Sequence, residues 1–338
     1  MDTAKGNSKT IKIFAAVLFT IAIIILPHFA GEYYTTLAIK VYIMALLACS
    51  FNLLLGYTGI LSFGQAAYYG IGAYTCALVL KGAVPNIWLG LLAAMVASGI
   101  IAFIFGSLCL RLTEAGHTVY FAMLTLAFGQ IVYTVAFKWE SVTGGDNGMA
   151  GIPAPNINLG FVTLHLDNVY HFYFFAIVII AVALAILYLL VHSSFGATLQ
   201  AIRENHERAK FMGQNIRTFQ VISFTVAGIF CGLAGGIFVA IEKFVSPELV
   251  YWSKSAEIIM VSILGGIYTF VGPLVGAAVM LLIEDYLSSY TSYWSVFLGS
   301  VLIIFVLFMP DGIVGQLQQL KQRYSKTRID TRLCRSDE

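Results

Sequence analysis

Residues 170–191 read Tyr-His-Phe-Tyr-Phe-Phe-Ala-Ile-Val-Ile-Ile-Ala-Val-Ala-Leu-Ala-Ile-Leu-Tyr-Leu-Leu-Val, a run without a single Asp, Glu, Lys or Arg. As a helix it would be about 33 Å long, enough to cross the hydrocarbon core of a bilayer. The opposite chemistry follows at once. Ser193 to Arg217 is the longest charged interruption between Ile11 and Pro310, and it holds Ala201-Ile202-Arg203-Glu204-Asn205-His206-Glu207-Arg208-Ala209-Lys210-Phe211-Met212-Gly213. A lipid-embedded chain with one helical, charged loop is built to be pushed from that side by something else.

Working outward, hydrophobic residues make up 59% of the 338 positions and charged residues 11%, with mean hydropathy +0.86. A soluble domain carries about 25% charged residues. Backbone groups in lipid must be satisfied internally, so only a helix bundle or a closed barrel is open to this chain; apolar runs of roughly 20 residues select helices, and no alternating barrel pattern occurs. The predicted fold is all-α: a polytopic membrane helix bundle of about ten spans, at 11–30, 36–55, 60–80, 87–110, 118–137, 170–191, 220–241, 256–270, 272–288 and 293–309.

Charge placement orients it. With the N-terminus inside, the cytoplasmic segments are an N-tail (1–10), Arg111 to His117, the loop 193–219 and a basic C-tail (316–338), around a transmembrane domain spanning 11–315. With Lys12 at the inner edge of the first span they hold fourteen of the nineteen Lys and Arg residues, leaving Lys40, Lys81, Lys138, Lys243 and Lys254 outside. The asymmetry gives N-in, C-in. Lys5, Lys9 and Lys12 before an apolar run mimic a signal peptide, but cleavage after Ala30 would put His28 where a small residue is needed, so a retained first helix is expected. Cys49, Cys76, Cys109 and Cys231 read as small membrane-core residues, and with Cys334 the set has no metal-type spacing.

Two spans are broken. The stretch 256–270 is short and carries Gly265-Gly266, and 60–80 is interrupted by Ser62, Gly64, Gln65, Gly70 and Gly72. Broken helices at membrane depth need protein or a water-filled cavity against them, which makes these segments candidates for a pathway wall. Close helix packing is the competing reading, and the G-x-x-x-G pairs Gly232/Gly236 and Gly272/Gly276 fit it. Outside, 138–169 is the longest loop. Its Thr143-Gly144-Gly145-Asp146-Asn147-Gly148, followed by Pro153 and Pro155, dictates tight turns. Such a loop is a connector or a docking surface, and its turn chemistry favours docking by Thr143, Gly144, Gly145 and Asp146.

Enzymatic chemistry finds no footing. There is no G-x-x-x-x-G-K-[ST], H-E-x-x-H or G-x-S-x-G, and no His and carboxylate cluster at metal-ligand spacing. If ATP drives this protein, another subunit hydrolyses it. Glu257, Glu284 and Asp285 fall near span ends, where interfacial water solvates them. The amides Asn52, Gln65 and Gln130 lie deeper, and each can either bond across helices or face a wet cavity.

In the charged tract, Ile202, Asn205, Ala209 and Met212 recur at helical spacing, charged residues cover the remaining surface, and Gly213 is placed as a helix stop. A short helix lying across the membrane face follows. Two acidic residues among the basic ones weaken any attraction to anionic lipid, so a groove on a cytoplasmic partner suits it better than lipid headgroups.

At this tract the sequence resembles a known family. Phe195-Gly196-Ala197, Ala201-Ile202-Arg203-Glu204-Asn205, Ala209, Met212-Gly213 and Asn215 are similar to the coupling loop of branched-chain amino acid permeases of bacterial ABC importers, the LivH/LivM pair, LivM type. Three further stretches agree: Asn52 to Gly59 with Ser62 to Ala66 and Gly70 to Tyr74; Tyr120 to Ala127 leading to Thr143-Gly144-Gly145 and Gly151-Ile152-Pro153; and Leu264-Gly265-Gly266 with Gly272-Pro273, Gly276 and Met309 to Ile313. The likeness covers about 35–315.

The resemblance implies a type II ABC-importer-like permease in a bacterial or archaeal inner membrane, paired with a second, LivH-like permease. It implies cytoplasmic ATPases that carry ATP and Mg and dock on Ala201, Ile202, Arg203, Glu204, Asn205, Ala209, Met212 and Gly213, and a solute-binding protein that delivers a branched-chain amino acid, another small amino acid, an amide or urea. The chain itself would bind no cofactor, metal or nucleic acid and catalyse nothing. Its pathway residues are expected among Asn52, Ser62, Gln65, Gly70, Gln130, Gly265 and Gly266. A secondary transporter or channel is the rival class, and it would need deep ionisable residues or a polar filter, of which the chain has little.

Overall fold

The computed structural model describes residues 31–82, 86–112, 118–158, 163–165 and 168–291, with scattered positions from 293 to 317. The expected span at 11–30 and the tails at 1–10 and beyond 317 lie outside the described residues.

Five described helices are long and apolar enough to cross a membrane: α1 (Gly31–Thr58), α3 (Ile87–Leu112), α4 (Thr118–Lys138), α6 (Val169–Val191) and α9 (Ile216–Glu242). Between and after them come α2 (Gln65–Lys81), α5 (Glu140–Thr143), α7 (Ser194–Glu204), α8 (His206–Phe211), α10 (Trp252–Gly265) and α11 (Gly272–Ser288). The described positions of the last expected span, from 296 to 307, are helical. The strands among the described residues are a three-residue pair, β1 (Asn156–Asn158) antiparallel to β2 (Thr163–His165), inside the long loop.

Small residues set the packing. The core is α9 laid against α2 and α3. A Cβ on Gly72 would sit 2.5 Å from the Gly232 Cα, and one on Gly235 would come 2.8 Å from the Ala73 amide, so backbones touch where side chains would keep them apart. Ser98 donates to the Tyr68 carbonyl at 2.9 Å and ties α3 to α2. The four described cysteines are buried here, as expected. Outward, α6 presents Phe174, Val178, Val182, Ile186 and Leu189, and α3 presents Leu92, Val96, Ile100 and Phe103, apolar stripes that only lipid or another membrane subunit can solvate.

Both expected breaks lie at span ends: 60–80 starts late and then runs unbroken through Gly70 and Gly72, and 256–270 stops early. The helix expected over 60–80 begins at Gln65. Before it, α1 loosens into a π-helical end over Leu53–Thr58, and Gly59, at φ 77°, returns its amide to the Leu54 carbonyl. Likewise α10 ends at Gly265, Gly266 takes φ 116°, and the chain turns through 267–271 into α11.

Candidate functional site

The charged tract forms two helices rather than the single one its spacing predicts. α7 stops at Glu204 and Asn205 is extended (φ −159°, ψ 107°), because its side-chain oxygen accepts the Arg208 amide at 2.9 Å and starts α8 as an N-cap. Gly213, at φ 81°, ends α8 as expected. The break turns the second helix, so the expected apolar stripe is split: Ile202 and Ala209 are buried while Asn205 and Met212 face out. Phe211 and Met212 are 87% and 74% exposed at the tip. Ala201 and Glu204 are exposed as well.

Arg203 points the other way. Its guanidinium donates to the Gly56 carbonyl inside the π-helical end of α1, and its Cζ stands 4.8 Å over the Tyr268 ring in the α10–α11 turn. A helix widened to π spacing leaves a carbonyl open to an outside donor. Gly59 makes room, since a Cβ there would be 2.7 Å from the Arg203 Cγ. From the same turn the Thr269 carbonyl accepts the Asn52 side-chain amide at 3.1 Å, and Gly312 packs so closely that its Cβ would lie 2.5 Å from the Gly266 Cα. One end of the bundle thus gathers the charged tract, both helix breaks and the segment at 312.

Above this end lies a buried polar line. The Cys231 thiol donates to the Gln65 side-chain oxygen at 2.8 Å and meets the Ser50 hydroxyl at 3.1 Å. Ser62 accepts the Gly64 amide, Thr125 the Phe63 amide and Ser255 the Ala66 amide, so the break before α2 is held by α4 and α10. Two atoms on this line have no partner among the described residues: Asn52 Oδ1 and Gln65 Nε2, on side chains 1% and 0% exposed. Buried polar groups are ordinarily paired, so orphans mark a place to which water or ligand belongs.

Of the other expected pathway residues, Ser62 is on this line, and Gly70, Gly265 and Gly266 are closely packed. A Cβ at Gly70 would overlap the Val250 side chain, and one at Gly265 would meet the Gly276 amide at 3.0 Å. Gly266 is held by its left-handed backbone and by Gly312. Gln130 is half-buried on α4, next to Gly129, where a Cβ would lie 3.9 Å from the Gly64 Cα.

At the opposite end, Thr143 is structural: its hydroxyl donates to Ala136 and Trp139 carbonyls at 2.6 and 2.7 Å and accepts the Gly145 amide. Gly144 and Gly145 take φ 77° and 60°, and Met149 pairs with Val245 through two backbone hydrogen bonds at 2.7 and 3.1 Å. Asp146 and Asn147 are left exposed on a braced tip.

A family model described as "Branched-chain amino acid transport system / permease component" matches residues 33–307. The chain belongs to that family. Members are multi-pass, non-catalytic membrane components of ABC transporters. This permease is 26% identical to the "High-affinity branched-chain amino acid transport system permease protein LivM" of Salmonella typhimurium over 336 residues, covering 94% of this chain and 78% of the relative. A probable LivH of Methanocaldococcus jannaschii is 25% identical, covering 81% and 89%, and the guanosine ABC transporter permease NupQ of Bacillus subtilis is 26% identical, covering 54% and 59%. No solved structure matches this permease.

Sequence reasoning missed Tyr268, Gly59 and Phe211. The signal for Phe211 was present, since two large apolar residues directly before a helix-stopping glycine in a charged loop have nothing of their own to pack on. Tyr268 carried none, because only the fold brings it to Arg203.

Proposed function

We propose that this chain is the permease subunit of an ATP-driven importer for branched-chain amino acids or related small amino acids, amides or urea. It works with a second, LivH-like permease, with two cytoplasmic ATPases that hold ATP and Mg, and with a solute-binding protein that docks outside at the braced tip 144–149. About ten spans place both termini in the cytoplasm of a bacterial or archaeal cell. The observation that carries the reading is the tract 194–213, which presents Phe211 and Met212 outward while its Arg203 grips both broken segments of the bundle.

In this reading Phe211, Met212 and the exposed polar side chains fill a groove on the ATPase. ATP-driven closure moves α7 and α8. Arg203 passes the movement to the π-helical end of α1 and to the turn 266–271, and so to Asn52, while Gln65 lies further along the buried polar line, where the two unpartnered amide atoms receive substrate or water as the path opens. Coupling requires that ATP and the loaded binding protein favour different states. Gly70, Gly265 and Gly266 serve as the close-packed joints about which the broken helices move. Reconstituted with its ATPases and binding protein, the permease should accumulate labelled leucine, isoleucine or valine only with ATP. Failure of all three, with uptake of an amide or a nucleoside instead, would reassign the substrate.

A further inference from the structure

The stretch 245–251, between α9 and α10, is wedged between the outer halves of α2 and α4. Val250 fills the place of the side chain that Gly70 lacks, since a Cβ there would lie 2.3 Å from the Val250 Cγ2. On the other side the Tyr251 ring stands 5.0 Å from that of Tyr133 on α4. Val245, Pro247 and Val250 are buried by this fit. Two backbone hydrogen bonds between Met149 and Val245 clasp the stretch to the long outer loop.

The wedge has a hinge and room to move. Lys243 joins it to α9 at φ 55°, the one non-glycine residue at positive φ among the described residues, and such strained positions concentrate where segments switch. On its α10 and α11 side, Ser246, Glu248, Leu249 and Tyr251 border a cavity of about 620 Å3. What the wedge covers is not purely apolar. Tyr74 lies one turn further out than Gly70 on the same face of α2, buried in one cluster with Met149, Val245 and Val250. It is 7% exposed, and its hydroxyl has no partner among the described residues. An unpaired hydroxyl destabilises an apolar layer, so its partner belongs to another arrangement of the stretch that covers it.

We propose that 245–251 is a movable plug, hinged at Lys243 and clasped at Met149, and that Tyr74 is a pathway residue beneath it. Withdrawn toward the cavity, the plug uncovers Tyr74 and opens the way along that face of α2 to the break at 62–65. The Tyr74 hydroxyl then bonds water or the passing solute. Met149 ends the tip 144–149, so a protein docked there acts directly on the clasp. The inference rests on the import reading for what pulls the plug, whereas the plug itself is defined by its packing on α2.

The test reads thiol reactivity and cross-linking in the complete complex in proteoliposomes, with Cys334→Ser and the four described native cysteines buried. Tyr74→Cys should react with a membrane-impermeant methanethiosulfonate from outside about tenfold faster while the binding protein and ATP drive cycling than at rest. Met149→Cys with Val245→Cys is a hydrogen-bonded antiparallel pair, whose Cα atoms stand about 5.5 Å apart, within disulfide reach. Oxidation should cut uptake of labelled leucine about tenfold, and a reductant should restore it. Tyr74→Phe should keep full complex yield, because the lost hydroxyl is unpaired when plugged, and should slow uptake about two- to tenfold, the worth of one hydrogen bond. A Tyr74→Cys rate that cycling leaves unchanged, or full uptake with the disulfide formed, would overturn the plug while leaving ATP-driven import standing. Undiminished uptake by Tyr74→Phe would overturn the role of the hydroxyl. Failure of the import reading shows separately, as no uptake by the unmodified complex, and the Tyr74→Cys rate during ATP hydrolysis still decides the plug.

Discussion

Replacing Arg203 with Ala tests whether force passes from the charged tract into the bundle. Two interactions disappear. The guanidinium hydrogen bond to the Gly56 carbonyl is charge-assisted and contributes about 1.5–3 kcal/mol. The cation–π contact with Tyr268, whose ring is 58% exposed, sits toward the weak end at about 0.5–1 kcal/mol. Together they make about 2–4 kcal/mol, which at 1.4 kcal/mol per decade weakens the linkage about 30- to 700-fold. Because Phe211 and Met212 are untouched, the ATPase should still co-purify. The assay is the ratio of solute moved to ATP hydrolysed in proteoliposomes, with the loaded binding protein outside. Arg203→Ala should hydrolyse ATP at the unstimulated rate and lose at least nine-tenths of uptake. Arg203→Lys keeps the charge but cannot span both partners, so it should fall between. Unchanged stoichiometry in Arg203→Ala would refute the linkage, and loss of ATPase binding instead would place Arg203 in the ATPase groove.

Other outcomes follow from the same geometry. Phe211→Glu with Met212→Asp should leave membrane insertion intact and abolish ATPase co-purification, since both side chains face out. Gly72→Leu should cut folded yield severely, because the neighbour its Cβ meets is the Gly232 backbone and cannot rotate away. Gly70→Leu and Gly266→Leu should lower complex yield and uptake in parallel, Gly266 losing about 1–3 kcal/mol to backbone strain alone; loss of uptake at full yield would make them pathway lining instead. In a background without other reactive thiols, Asn147→Cys should be labelled from outside intact cells and Ser325→Cys should not.

Much of this architecture could be read from residue order. Apolar length located the long helices within a few residues, since burial in lipid leaves the backbone no alternative. Gly and Ser interruptions pointed to both breaks, which lie at span ends, because a helix without side-chain support at membrane depth must be propped by its neighbours. The failures are local. Helical spacing carried one helix through 201–213, whereas the Asn205 side chain competes for the backbone and splits it. The same spacing put Met212 beside Ile202 and Ala209, and the split turned it outward. Turn chemistry at Thr143 to Gly148 was legible, but the inward hydroxyl of Thr143 was not, since it depends on the Ala136 and Trp139 carbonyls of the preceding helix end. The glycines at 70, 265 and 266 looked alike for packing and for a pathway, and only their neighbours Val250, Gly276 and Gly312 tell which surface each one meets.

The most direct measurement is uptake by the complete complex in proteoliposomes, with ATP inside and the binding protein outside, before and after a protonophore collapses any ion gradient. The account predicts accumulation of labelled leucine, isoleucine or valine that needs ATP and the binding protein, survives the protonophore and disappears with Phe211→Glu and Met212→Asp. Uptake by this chain without ATPase or ATP, abolished by the protonophore, would contradict it and make the protein a secondary transporter.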